Sequence, residues 1–185
     1  HAAIFPGILL GLGLPLARQL YVHGYVTVDS KKMSKSLGNS VSPNDIIAKY
    51  GADAFRYYFL RHIPSYDDGD FSWEAFEAAY NNELANELGN AVQRTVAMVQ
   101  KYQGGVVGDI PKPGHDMGAY GEAIELCKCD RALDSVWEQV RGLNQLIDTE
   151  KPWEIAKTDD ADHLREVLAG FVSDLLEIAE LLEPF

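Results

Sequence analysis

Three lysines, Lys31, Lys32 and Lys35, fall within five residues and are interleaved with Ser34 and Ser36 ahead of Gly38. An ammonium group is a compact point charge with three donors, suited to phosphate oxygens whose charge grows as a nucleotidyl group is transferred. Gly38 gives such a loop the backbone freedom to move as a ligand arrives and leaves. By composition alone the same residues also describe a solvated basic turn.

A second constellation is spread along a later segment. Asn82, Asn86, Asn90 and Arg94 recur every four residues. On an α-helix each step of four turns about 400°, so the row drifts by only about 40° and stays on one face. Amides and one guanidinium can hydrogen-bond the edges of unpaired bases without a broadly basic surface. The plain alternative is the ordinary polar side of a helix. Further on, Lys151-Pro152-Trp153 sets an indole directly after a proline that favours a helix start. Trp73 and Trp137 fall on apolar stripes and read as core.

Other candidates carry less chemistry. Asp67, Asp68 and Asp70 lack the twelve-residue frame and distal glutamate of a calcium loop and read as a solvated acidic turn. Cys127 and Cys129 are two residues apart in a segment of helical period, so their side chains point about 200° apart. They are expected to be free thiols, with no metal site.

The chain that must position these groups has 185 residues, 46% hydrophobic and 24% charged, with a formal net charge of −12. This suits one medium or two small domains and excludes a disordered tail. No apolar run approaches the roughly 20 residues of a membrane span, and there is no secretory leader pattern, so the expectation is a cytoplasmic protein without membrane contact. The charge is divided unevenly: seven Lys/Arg stand against six Asp/Glu up to Ser72, and nine against 22 thereafter. Any nucleic-acid contact must then be local, not a general polyanion footprint.

Alternation from Leu20 to Val28 predicts a strand broken at Gly24, followed by a turn at Asp29-Ser30. Ser42-Pro43 starts a short helix that Gly51 ends, and Asp53 to His62 forms another. Ser72 caps a long helix whose apolar stripe runs Trp73, Phe76, Tyr80, Leu84, Leu88, Ala91, Val96, Val99 and Tyr102. Two more amphipathic patterns follow, from Ile124 to Ile147 and from Leu164 to Leu182. Three such stripes bury themselves against one another as a bundle.

The string Lys32-Met33-Ser34-Lys35-Ser36, extended by Leu37-Gly38-Asn39, matches the KMSKS signature of class I aminoacyl-tRNA synthetases. Isoleucine, cysteine and methionine enzymes all carry close versions. The flanks His1 to Pro6, Gly13-Leu14-Pro15-Leu16, Val22-His23-Gly24-Tyr25, Tyr50 to Tyr58, Asp68 to Ser72 and Leu84 to Asn90 resemble the methionyl-tRNA synthetase family. The similarity runs from His1 to Tyr102 and returns at Lys151-Pro152-Trp153.

The resemblance implies a mostly α chain in two parts. Residues 1–70 would be the end of a Rossmann-like α/β catalytic domain with the KMSKS loop and a stem-contact element, and residues 71–185 an α-helical bundle that binds the anticodon. It implies a ligase that activates methionine with ATP, accompanied by Mg2+, and passes the methionyl group to tRNA(Met), with no role for DNA. Lys32 and Lys35 would be catalytic, residues 32–36 (Lys32, Met33, Ser34, Lys35 and Ser36) would bind ATP, and His1 would line the methionine pocket. Position 5, usually tryptophan in the family, is Phe5. Asn90 and Arg94 would read a CAU anticodon on which Trp153 stacks; the alternative for Trp153 is a plug in the core. No HIGH-type motif is present, so the chain alone is expected to be catalytically incomplete. The rivals are a ligase for cysteine or isoleucine, and a noncatalytic RNA-binding module with a vestigial loop.

Overall fold

A computed structural model describes residues 2–33, 39–112, 114, 118–158 and 160–185 of the chain, which is mostly helical with one small sheet. Helix α1 (Ile4–Gly11) takes up the glycine-punctuated apolar start, and none of its residues is buried. Strands β1 (Val26–Val28) and β2 (Lys31–Lys32) form an antiparallel hairpin, with Val28 opposite Lys31. Strand β3 (Gly69–Phe71) lies parallel to β1 on its other side.

The strand expected from Leu20 is thus confined to its last three residues. Ahead of Val26 the chain presses on a turn instead of a neighbouring strand. The Tyr25 N–H donates to Asp68 Oδ1 at 2.7 Å, and its carbonyl accepts from the Gly69 N–H at 2.9 Å. At Gly24 a Cβ would stand 2.2 Å from the Asp67 carbonyl, so only glycine fits the approach.

Helix α2 (Pro43–Tyr50) begins at its proline and stops at Gly51, whose φ of 89° lies in the region that glycine adopts most easily. Helix α3 (Ala52–Arg61) follows at once, and its adjacent tyrosines go separate ways. Tyr58 packs with Val28, Ile46, Phe71 and Phe76 in a small core under the sheet. Tyr57, turned about 100° from it, enters the bundle core and lies 4.6 Å from Trp137 between ring centroids.

The long helix expected after Ser72 is present but is not α throughout. Helix α4 (Trp73–Ala79) is capped by the Ser72 hydroxyl, which accepts from the Ala75 N–H. A π-helical segment (Tyr80–Leu88) follows, and helix α5 (Gly89–Gln103) completes the rod. Hydrogen bonding from i to i+5 makes the turns wider, while within the regular α5 the buried stripe advances from Ala91 in steps of four. Val96, expected inside, is 59% exposed, and Thr95 takes its place at 0% beside Ala91 and Val99. Trp73, also expected inside, is 40% exposed and covers the outer edges of Phe71 and Phe76.

The pattern expected to run unbroken from Ile124 to Ile147 is interrupted. Cys127, with φ at 53°, ends α6 (Gly118–Glu125) before α7 (Cys129–Glu150) begins, so the two cysteines do not share one helix. Both thiols are free. Helix α8 (Pro152–Ile155) is one turn long, and α9 (Ala161–Leu182) closes the bundle. Trp137, Val140, Leu168, Phe171 and Ile178 form the centre of its core. Among the described residues no helix is long and apolar enough to cross a membrane.

Candidate nucleotide and RNA interfaces

The lysine cluster leaves the sheet through the β1–β2 hairpin. Asp29 and Ser30 both have positive φ, 50° and 60°, as a two-residue hairpin turn of the primed type requires. Asp70 on the neighbouring strand clasps this turn. Its Oδ1 accepts from Thr27 Oγ1 at 2.5 Å and from the Ser30 N–H at 2.8 Å. Those donors, the threonine hydroxyl foremost, hold the carboxyl below its ordinary value. The acidic turn is therefore a structural clasp as well as a solvated loop.

Lys32 is exposed, and its ammonium lies 5.9 Å from the centre of the Tyr25 ring. Met33 turns to the cleft lined by Val28, Val41, Ile46 and Phe55. Asn39 Nδ2 donates to the Lys32 carbonyl at 3.2 Å, holding together the residues on either side of 34–38. Ser34, Lys35 and Ser36 lie outside the described residues, as does His1.

On the bundle, Asn82, Asn86 and Asn90 are all exposed. Only Asn90 and Arg94 share a regular α-helix; the other two lie in the π segment, where a step of four falls short of a full turn. Arg94 pairs with Asp148 of α7. That carboxylate stands five residues ahead of Trp153, so Arg94 is drawn to the end of α7 where the indole sits. Lys151, with φ at 46°, ends α7, and the buried Pro152 starts α8 directly. The Trp153 ring is left 36% exposed at this corner.

Between the two regions lies a network to which no sequence motif pointed. Glu83, on the π segment, accepts from the Tyr57 hydroxyl, and its Oε2 is 2.8 Å from His62 Nε2 and 3.4 Å from Arg61 Nε. Arg61 also reaches Asp134 at 3.2 Å and lies over the Trp137 ring at 4.9 Å. Burial pushes the Glu83 carboxyl up, but the hydrogen bonds from His62 and Tyr57 and the nearby positive charges outweigh it, leaving the group below its ordinary value. Tyr57 is pushed far up, chiefly by burial. Asp148 and Glu83 were missed in the sequence because their partners are remote along the chain; Arg94 and Asp148 are 54 residues apart.

An open cleft of about 510 Å³ runs between α5 and α9 past Val92, Val96, Leu175 and Leu176. It is apolar and includes none of the candidate site residues. Among the described residues, no group of three or more His, Cys, Asp or Glu is placed to hold a metal ion.

The family described as tRNA synthetases class I (M) matches residues 1–96. The whole chain aligns with methionine-tRNA ligase of Thermotoga maritima at 34% identity and with that of Clostridium perfringens at 39%, covering 31% and 30% of those proteins. A crystal structure of Mycobacterium tuberculosis methionyl-tRNA synthetase bound by methionyl-adenylate superposes on all of this chain and 39% of that one. The TM-score is 0.82 and the identity 30%. The chain thus spans about a third of the length of these relatives.

Proposed function

Because the chain belongs to the tRNA synthetases of class I (M), we propose that it forms the part of a methionine-tRNA ligase that carries the phosphate-binding lysine loop and reads the CAU anticodon. The observation that carries the reading is the corner of α7 and α8: an exposed indole at Trp153 stands at the helix end to which Asp148 draws Arg94. An aromatic face beside a guanidinium and an exposed amide, Asn90, suits unpaired bases.

Residues 1–70 would contribute to methionine activation, in which the amino-acid carboxylate attacks the α-phosphorus of ATP and pyrophosphate leaves. Lys32 and Lys35 would stabilise the negative charge that gathers on the departing pyrophosphate, a matter of placement and electrostatics more than of bonding. The Asp70 clasp and the Asn39 contact support this role because they fix the point from which Lys32 projects. Ser34 and Ser36 would join them at the nucleotide, with Met33 as the apolar anchor and His1 at the methionine side chain. Mg2+ would come with ATP, and no step depends on a metal held by the residues described. Residues 71–185 would bind tRNA(Met) in the cytoplasm.

Titration of the chain with an anticodon stem-loop carrying CAU, and with single-base variants at one salt concentration, tests the reading. Salt is fixed because phosphate contacts make affinity strongly salt-dependent. A preference for CAU that vanishes in both Arg94→Ala and Trp153→Ala is expected. Equal binding to every loop would overturn the assignment.

A further inference from the structure

We infer that Asn144 is a positioning residue for the anticodon-reading face, acting through the junction between the π segment and α5. The inference rests on the anticodon reading above. Where i to i+5 bonding gives way to i to i+4 bonding, one carbonyl is passed over and left without a helical N–H, so the junction is a weak point in the helix. Here it falls at Gly89, whose N–H still bonds back to the Leu84 carbonyl five residues earlier. Asn90, the exposed amide of the proposed site, is the next residue.

Asn144 supplies a donor from outside at this point. Its Nδ2 is 3.0 Å from the Glu87 carbonyl and 3.2 Å from the Val140 carbonyl of its own helix. The same Glu87 has its carboxylate 4.0 Å from Arg141, and one turn beyond Asn144 comes Asp148 with Arg94. Arg141, Asn144 and Asp148, at steps of three and four, form one face of α7 that grips the long rod at Glu87 and at Arg94. The carboxamide is the member of this face that bonds to main chain, two residues before the junction.

Without that donor the junction is less well held, and because i to i+5 bonding winds the chain less per residue than i to i+4 bonding, a shift of the junction turns the side chains that follow by a fraction of a residue step. Asn90 would then leave its place relative to Trp153, while Trp153 and the bundle core stay as they are. Asn144 therefore governs discrimination between bases more than overall affinity.

The test measures stem-loop affinities of the whole chain with Asn144→Asp, which keeps the shape and removes the amide donor, and with Asn144→Ser as the smaller change. Both are compared with Arg94→Ala. The ratio of CAU to single-base-variant affinity is expected to fall about tenfold in the Asn144 variants, the usual range for one base contact. Amide hydrogen exchange is expected to quicken from Asn90 to Arg94 and not in α9. A residue that merely stabilised the bundle would lower the melting temperature and leave the ratio unchanged. An unchanged ratio in folded Asn144→Asp or Asn144→Ser, with the ratio lost in Arg94→Ala, would overturn the inference alone. An absence of CAU preference in the unmodified chain would overturn the anticodon reading and this inference with it.

Discussion

His62 Nε2 lies 2.8 Å from Glu83 Oε2, the same oxygen that accepts from the Tyr57 hydroxyl, so one carboxylate ties α3 to the π segment. Arg61 stands 3.4 Å from that oxygen and continues to Asp134 on α7, while Glu87 adds a nearby negative charge. The joint between the sheet region and the bundle is therefore polar and partly shielded.

Glu83 titrates below its ordinary value of 4.5 in the folded chain. A depressed carboxyl stabilises the fold above the unfolded value, and that contribution is lost as pH falls through the folded one. Glu83→Gln is expected to cost about 2 kcal/mol near neutral pH, as a partly buried hydrogen-bonded charge does. The gap should narrow below about pH 4.5, where the unmodified chain loses the same contribution. Urea unfolding from pH 7 to pH 3 measures both curves, and a gap of constant size would refute the role assigned to the carboxylate.

The tryptophans should separate stability from binding. Trp137 is 0% exposed, and Trp137→Ala is expected to destabilise the chain by about 4 kcal/mol, as loss of a large core ring does. Trp153→Ala should change stability by less than about 1 kcal/mol and weaken CAU stem-loop binding about tenfold. Thermal melts alongside titration make the comparison, and a large stability loss at Trp153 would mark it as core instead of platform.

Gly24→Ala brings a Cβ against the Asp67 main chain, which has no flexible side chain to move aside. A loss of about 3 kcal/mol is expected, at the upper end for overpacking. The disturbance should centre on the Tyr25 contacts with Asp68 and Gly69 and be visible as faster exchange of the Gly69 amide. An alanine variant as stable as the original would show that this approach is not tight in solution.

Local signals were the legible part of this fold. Ser42-Pro43 and Gly51 bracket α2, Ser72 caps α4, and Asp29-Ser30 makes the hairpin turn, because each depends on neighbours in sequence. The π segment gave no signal, since i to i+5 bonding leaves no mark on composition, whereas Val96 falls outside because it is a step of five from Ala91 within the regular α5. The strand from Leu20 failed because alternation says nothing about whether a partner strand is present. For the site, spacing pointed to the row Asn82, Asn86, Asn90 and Arg94, and the family resemblance singled out Asn90, Arg94 and Trp153 as candidates. Their support from Asp148 and Asn144 came only with the packing of α7 on the long rod.

Tyr57 and Tyr58 are consecutive, yet one is built into the bundle core and the other into the small core beneath the sheet. A single turn of α3 thus belongs to both, and it cannot unwind without opening both. Although the chain reads as two parts in charge and in composition, this shared turn makes them one cooperative unit. The small core, too slight to persist by itself, borrows its lifetime from the larger one.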